Sequence, residues 1–150
     1  MRIAEIMTKQ VRTVAPEMPA DEAWELMRRS SIRHLVVLSN GYVVGVLSER
    51  DAGGKRGASL RAQSHVADLM TAHVATIDSD ATVRKAANLM RGRTIGCLPV
   101  VDGSKLVGIV TASDLLELVG RGHARPQQAE RRNLHHRVAH RKSHGAFGVW

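Results

Sequence analysis

The chain has 150 residues, a formal charge of +8 and one cysteine, enough length to bury a single core without a metal or a disulfide. Cys97 has no partner in the chain, which fits a reducing cytoplasm; no apolar run resembles a signal peptide or approaches the ~18 residues of a membrane span. Trp24, Tyr42, Phe147 and Trp150 are its aromatic residues, too few and too scattered for a base-stacking nucleic-acid platform.

In chain order, Ile6-Met7-Thr8 precedes a predicted strand at 11–14. A turn with Pro16, Glu17, Pro19 and Asp21 leads into an amphipathic helix whose apolar residues Ala23, Leu26 and Met27 share one face. Apolar runs at 35–38 and 43–47 flank Ser39-Asn40-Gly41-Tyr42. Asn-Gly between β-branched runs predicts a hairpin, because both residues tolerate the positive φ of a tight turn. Ser48-Glu49-Arg50-Asp51 then turns into a second helix, and the stretch 53–64, opening Gly53-Gly54-Lys55-Arg56-Gly57, reads as a flexible polar linker.

The pattern then begins again. Met70 follows Met7 by 63 residues, and the same gapless offset carries Thr13 to Thr76, Leu26-Met27-Arg28 to Leu89-Met90-Arg91, Ile32 to Ile95, Val44-Gly45 to Val107-Gly108 and Asp51 to Asp114. The second copy thus has a strand at 74–77, a helix carrying Ala86, Leu89 and Met90, and apolar runs at 98–101 and 106–110 around Asp102-Gly103-Ser104-Lys105. Its last helix runs from Thr111-Ala112-Ser113-Asp114 to Gly120. Pro99 donates no ladder hydrogen bond and is expected at a strand start or an edge. The expected fold class is α/β (α+β): two β-α-β-β-α units, 1–60 and 65–120, each completing the other's core. The remainder, 121–150, holds seven Arg or Lys against Glu130 alone, a net of +6, so residues 1–120 carry only +2. That basic tail has little to bury beyond Leu134, Val138, Phe147 and Trp150, and is expected to be disordered or docked.

These motifs together resemble a tandem pair of CBS (cystathionine-β-synthase-type) domains, a Bateman module. The resemblance rests on Met-Thr before the first strand, the Leu-Met helix, the apolar hairpin, and the endings Gly45-Val46-Leu47-Ser48-Glu49-Arg50-Asp51 and Gly108-Ile109-Val110-Thr111-Ala112-Ser113-Asp114. It implies repeats packed with pseudo-two-fold symmetry and a non-catalytic, cytoplasmic sensor. Such a sensor binds adenosine-containing ligands (AMP, ADP, ATP, S-adenosylmethionine and relatives) in clefts between the repeats and signals to a partner. By position, the resemblance assigns Ser48, Asp51, Thr111, Ser113 and Asp114 to phosphate and ribose. It assigns Thr13, Val14, Arg33 and His34, with Thr76, Ile77, Gly96 and Cys97 in the second copy, to the lining of the base. It also implies a homodimer, in which the Leu26-Met27 and Leu89-Met90 faces pack on a second module, and no bound cofactor apart from the regulatory ligand.

The residues make chemical sense without the family. A Ser or Thr at a strand-to-helix turn lies beside free backbone N–H groups at a positive helix end, and an ionised Asp accepts from paired hydroxyls. A Gly at the first position of the ending admits close approach of a ligand. The same Ser-x-x-Asp and Thr-x-x-Asp spacing is also that of a helix capping box, and both readings stand. Met7, Met27, Met70 and Met90 read as packing residues, and Cys97 as a small semi-buried side chain rather than a nucleophile. Arg33 and His34 carry cationic capacity that Gly96 and Cys97 lack, which favours a polyphosphate on their side. Two other classes remain: a nucleic-acid or acidic-partner protein using the basic tail, and a metal site of His136, His140 and His144, disfavoured by the neighbouring Arg137, Arg141 and Lys142. No paired carboxylates or nucleophile triad suggest an enzyme.

Overall fold

The computed structural model describes residues 1–121. A 3-10 turn at Ile3–Glu5 opens the chain, followed by β1 (Thr13–Val14), α1 (Ala20–Ser30), β2 (His34–Ser39) and β3 (Tyr42–Ser48). After a second 3-10 turn at Gly54–Arg56 come α2 (Ala58–Ala62), α3 (Val66–Leu69) and β4 (Thr71–Ala72). The second copy supplies β5 (Ile77–Asp78), α4 (Val83–Arg93), β6 (Cys97–Asp102), β7 (Lys105–Thr111) and α5 (Ala112–Gly120).

The helices follow their sequence signals. In α1, Ala20, Ala23, Trp24 and Met27 are buried along one stripe, with Asp21 and Glu22 in the first turn and Arg28 and Arg29 in the last, matching the helix dipole at both ends. In α4, Thr82 caps the first turn by accepting from the Lys85 N–H at 3.1 Å, and Ala86 and Met90 face inward. Asn40 (φ 53°) and Gly41 (φ 82°) make the expected two-residue turn between β2 and β3.

Each copy forms its own sheet: β1-β2-β3-β4, and β5-β6-β7. In each, the first strand runs parallel to the second, the second antiparallel to the third, and a register shift falls at the same place, Val37/Leu38 and Val100/Val101. Pro99 departs from expectation by sitting third in β6, whose pairing with β5 begins only at Val100. In the first copy the equivalent Val36 donates its N–H to the Arg12 carbonyl at 3.2 Å. Pro99 cannot, so β5 starts one residue later in the repeat than β1.

The opening segment of each copy packs on the other copy. Ile3 and Ile6 lie in the second copy's core with Ile77, Leu98, Val100 and Leu118, while Val66 lies in the first copy's core with Trp24, Met27, Leu35 and Leu47. Backbone bonds make the exchange reciprocal: Thr8 and Ile109 trade N–H and carbonyl at 2.9 and 3.0 Å, and β4 pairs with β3 through Gly45–Ala72 and Val46–Thr71. The glycines of the two endings serve this crossing and not a ligand's approach. A Cβ on Gly45 would meet Met70 Sδ at 2.7 Å, and one on Gly108 would meet Met7 Sδ at 2.6 Å.

Two further expectations need correction. The helix expected from Ser48 onward is a single turn, because Gly53 (φ 89°) and Gly54 (φ 63°) take left-handed backbone where the second copy has Leu116 and Glu117 and continues as α5. The stretch 53–64, expected to be flexible and polar, instead contains the 3-10 turn and α2, fastened by Arg61. That residue is only 5% exposed. Its Nη1 donates to the carbonyls of Ala52 (2.8 Å) and Gly54 (2.6 Å), and its guanidinium lies 3.9 Å from the centroid of the Trp24 ring.

Candidate functional site

Antiparallel pairing brings the end of each third strand opposite the start of the second. In the first copy Ser48 pairs with His34, and the Glu49 N–H donates to the Arg33 carbonyl at 2.8 Å. In the second copy Thr111 pairs with Cys97, and the Ala112 N–H donates to the Gly96 carbonyl at 2.8 Å. The fold therefore assembles Arg33, His34, Ser48 and Asp51 in one half, and Gly96, Cys97, Thr111, Ser113 and Asp114 in the other.

Each Asp is held by its hydroxyl partner. The Ser48 N–H donates to Asp51 Oδ2 (3.1 Å) and the Asp51 N–H to Ser48 Oγ (2.9 Å); Thr111 and Asp114 repeat the exchange at 2.9 and 3.3 Å. For Thr111 and Asp114 the bonds form the capping box of α5, which accounts for them completely. For Ser48 and Asp51 the same bonds cap only a single turn, in which the Ala52 N–H donates to the Ser48 carbonyl at 3.1 Å. Asp51 is contacted by the other copy as well, since Thr71 Oγ1 donates to its Oδ2 at 3.3 Å. Thr71 was not among the sequence candidates, and the signal that marks it is the Met-Thr pair present in both copies.

Of the remaining candidates, Thr13 and Thr76 are exposed, with Thr13 opposite Val36 in the β1–β2 pairing. Val14 and Ile77 bury their side chains in the two cores and leave only backbone for a cleft. Cys97 is buried, and desolvation, followed by the nearby Asp114 carboxylate, pushes its thiol pKa up to about 12. That shift is opposite in direction to the one a nucleophilic cysteine needs, and it places the Asp114 charge near Cys97.

The Leu26-Met27 and Leu89-Met90 faces, expected to pair with a second module, are spent inside. Met27 and Met90 are buried, and Leu26 and Leu89 pack against the same cores. The large apolar side chains left in water include Leu116 and Val119 on α5, 72% and 77% exposed. Among the described residues no group of three His, Cys, Asp or Glu is placed to hold a metal, and no helix is long and apolar enough to cross a membrane. The candidate metal site at His136, His140 and His144, and the tail residues Leu134, Val138, Phe147 and Trp150, lie outside the described residues. A separate cavity of about 310 Å³ opens between the halves near the hairpin ends, with Lys9, Thr13 and Leu38 on one side and Lys105 and Leu106 on the other.

The family model of the CBS domain matches residues 3–52 and 66–121. The chain is 32% identical over 114 residues to CBS domain-containing protein YhcV of Bacillus subtilis, covering 75% of this chain and 81% of that one. It is also 32% identical over 120 residues to the homoserine O-acetyltransferase of Methanococcoides burtonii, covering 79% of this chain but only 24% of the enzyme. Among solved structures, it is similar to the CBS domain pair of protein MJ0100 in complex with 5-methylthioadenosine and S-adenosyl-L-methionine. That match has a TM-score of 0.73 and 28% identity over 81% of this chain and 97% of that one.

Proposed function

We propose, because the chain belongs to the CBS-domain family, that it is a regulatory module whose halves bind an adenosine-containing ligand and whose state is read by a partner. The observation that carries this reading is Ser48–Asp51: the hydroxyl–carboxylate pair of Thr111–Asp114 is kept over a single turn where no α-helix follows, and its carboxylate is reached by Thr71 of the other copy. The adenosyl ligands in the MJ0100 complex support the same class of ligand here. Asp51 and Asp114 accept from ribose hydroxyls, Ser48, Thr111 and Ser113 face phosphate or its replacement, and the Arg33–His34 side favours the more highly charged ligand. The energy available for signalling is the ligand's differential affinity for two states of the module, and no more.

A thermal-shift screen of AMP, ADP, ATP, S-adenosylmethionine and NAD identifies the ligand, since one present at about 100 times its Kd stabilises by about 2.7 kcal/mol. Calorimetry on Asp51→Ala and Asp114→Ala then tests the site, each loss of a charge-assisted bond costing about 1.5–3 kcal/mol, or tenfold or more in affinity. Unchanged affinity in both variants makes the two carboxylates structural only. We also propose self-association through α5, where Leu116 and Val119 are exposed one turn apart. Leu116→Glu would then halve the mass seen by light scattering, and a monomeric parent rejects the idea. The net +6 of residues 121–150 favours, as a second reading, an acidic or nucleic-acid partner. Its test is a steep salt dependence of binding that disappears on deleting 121–150.

A further inference from the structure

We propose that the cavity between the hairpin ends is a second binding site, for a small organic dianion with a short apolar body. Two lysines line it, one from each half: Lys9 follows the first copy's crossing segment, and Lys105 opens β7. Neither lysine enters an ion pair among the described residues. Val11, Leu38 and Leu106 line it as well, with Thr13 as a further polar residue. Two lysines without an ion pair beside an apolar wall match a ligand with two negative charges and a short apolar body. The volume, about 310 Å³, lies at the small end of the ~300–1,000 Å³ range of ligand pockets and sets the body at a few carbons. Lysine acts as a point charge and demands no planar, two-pronged partner, so a dicarboxylate and an alkyl phosphate meet its chemistry equally well.

The cavity is not a duplicate of anything in the repeat. The 63-residue offset that preserves the two Asp residues turns Lys9 into Ala72, and Lys105 is the counterpart of Tyr42, so the equivalent place on the other side has no lysine. It is also apart from the Ser/Thr–Asp groups. Lys105 and Thr111 stand at opposite ends of one strand, six residues and ~20 Å apart at ~3.3 Å per residue. Thr13 is the one residue it shares with the sequence candidates.

Calorimetry on the full chain at low salt, titrating adipate and butyl phosphate with uncharged adipamide as control, tests the proposal. Saturable binding of at least one of the two anions, and none of adipamide, is expected; whichever anion binds more tightly assigns the site to carboxylate or phosphate. Lys9→Gln and Lys105→Gln should each weaken that binding by about tenfold, both being exposed positions whose exchange leaves the core untouched, as circular dichroism checks. Asp51→Ala and Asp114→Ala should leave it unchanged, which separates this site from any adenosyl site. The proposal is overturned by absence of saturable binding, by equal binding of adipamide, or by loss of binding in Asp114→Ala. Binding that persists in the Lys9→Gln/Lys105→Gln double variant belongs to the basic tail and overturns it equally.

Discussion

If the endings keep Gly45 and Gly108 for the crossing of the two halves, adding one methyl group at either position strikes the other half. At Gly45 the new Cβ lies 2.7 Å from Met70 Sδ and 2.8 Å from the Thr71 carbonyl oxygen; at Gly108 it lies 2.6 Å from Met7 Sδ but 3.0 Å from the Thr8 carbonyl oxygen. A thioether swings aside at small cost, whereas a carbonyl held in the β3–β4 ladder does not. Overpacking of this kind costs ~1–3 kcal/mol, which puts Gly45→Ala near ~2–3 kcal/mol and Gly108→Ala near ~1–2 kcal/mol. Urea unfolding followed by circular dichroism measures both. Combining each with truncation of its methionine separates the two obstacles in a double-mutant cycle. Met7→Ala should recover about 1 kcal/mol of the Gly108→Ala loss, and Met70→Ala less than about 0.5 kcal/mol of the Gly45→Ala loss, because the Thr71 carbonyl remains. Single variants within ~0.5 kcal/mol of the parent, or a larger recovery at Gly45 than at Gly108, would refute this account of the crossing.

Four further outcomes follow from particular contacts, backbone angles and burial. Arg61→Ala strips the Ala52 and Gly54 carbonyls of their donor and Trp24 of its cation, and should cost ~3 kcal/mol in the same assay. Asp21→Asn should cost less than ~0.5 kcal/mol, because the Asp21 side chain is 59% exposed and its contact with Arg61 is 3.7 Å long. Thr94 closes α4 at φ 53°, a left-handed position hard on a β-branched residue, so Thr94→Gly should stabilise by ~0.5–1 kcal/mol on chemical denaturation. The raised thiol pKa of Cys97 means that the unfolded chain ionises first. Its contribution is therefore full below pH 9 and is lost as pH rises from 9 toward about 12, by about 1.4 kcal/mol per pH unit. The stability difference between parent and Cys97→Ala should shift in that window, and a difference independent of pH would reject the burial of the thiol.

The repeat, the order of elements in the second copy and both hairpins were legible in the sequence because each is written in local chemistry: period, turn residues and capping spacing. The grouping of Ser48 with His34 and of Thr111 with Cys97 was legible too, once a hairpin was assigned, because register fixes those neighbours. What escaped was nonlocal. Leu26 and Met27 read as an apolar stripe whether it faces its own sheet or a second molecule, and only packing shows that it faces the sheet. Gly45 and Gly108 announce a close approach without saying by what. Gly53 and Gly54 read as a flexible linker, yet a buried arginine eight residues on fastens the chain there, and no local pattern signals a buried charge.

The exchange of opening segments also fixes where the chain divides. A cut at the apparent boundary between repeats separates each core from part of itself: 1–62 loses Val66, Leu69 and Met70, which pack with Trp24, Met27 and Leu47. The second half alone loses Ile3 and Ile6, buried to 0% and 8% exposure, each worth ~1.5–3 kcal/mol, together with the backbone bonds from Ile3, Ala4 and Thr8. A segment spanning 9–72 instead contains the whole of the first core, with β4 on the edge of β3 and Arg61 on Trp24. A domain of about 60 residues is marginal even when complete, so the missing pieces decide the outcome. Circular dichroism and urea titration of the two fragments should find cooperative unfolding for 9–72 and none for 1–62, although the latter is the sequence repeat. Equal behaviour of the two would mean that the crossing segments contribute little. Cooperative folding of 1–62 alone would mean that the halves are independent and that Thr71 at Asp51 is an incidental contact.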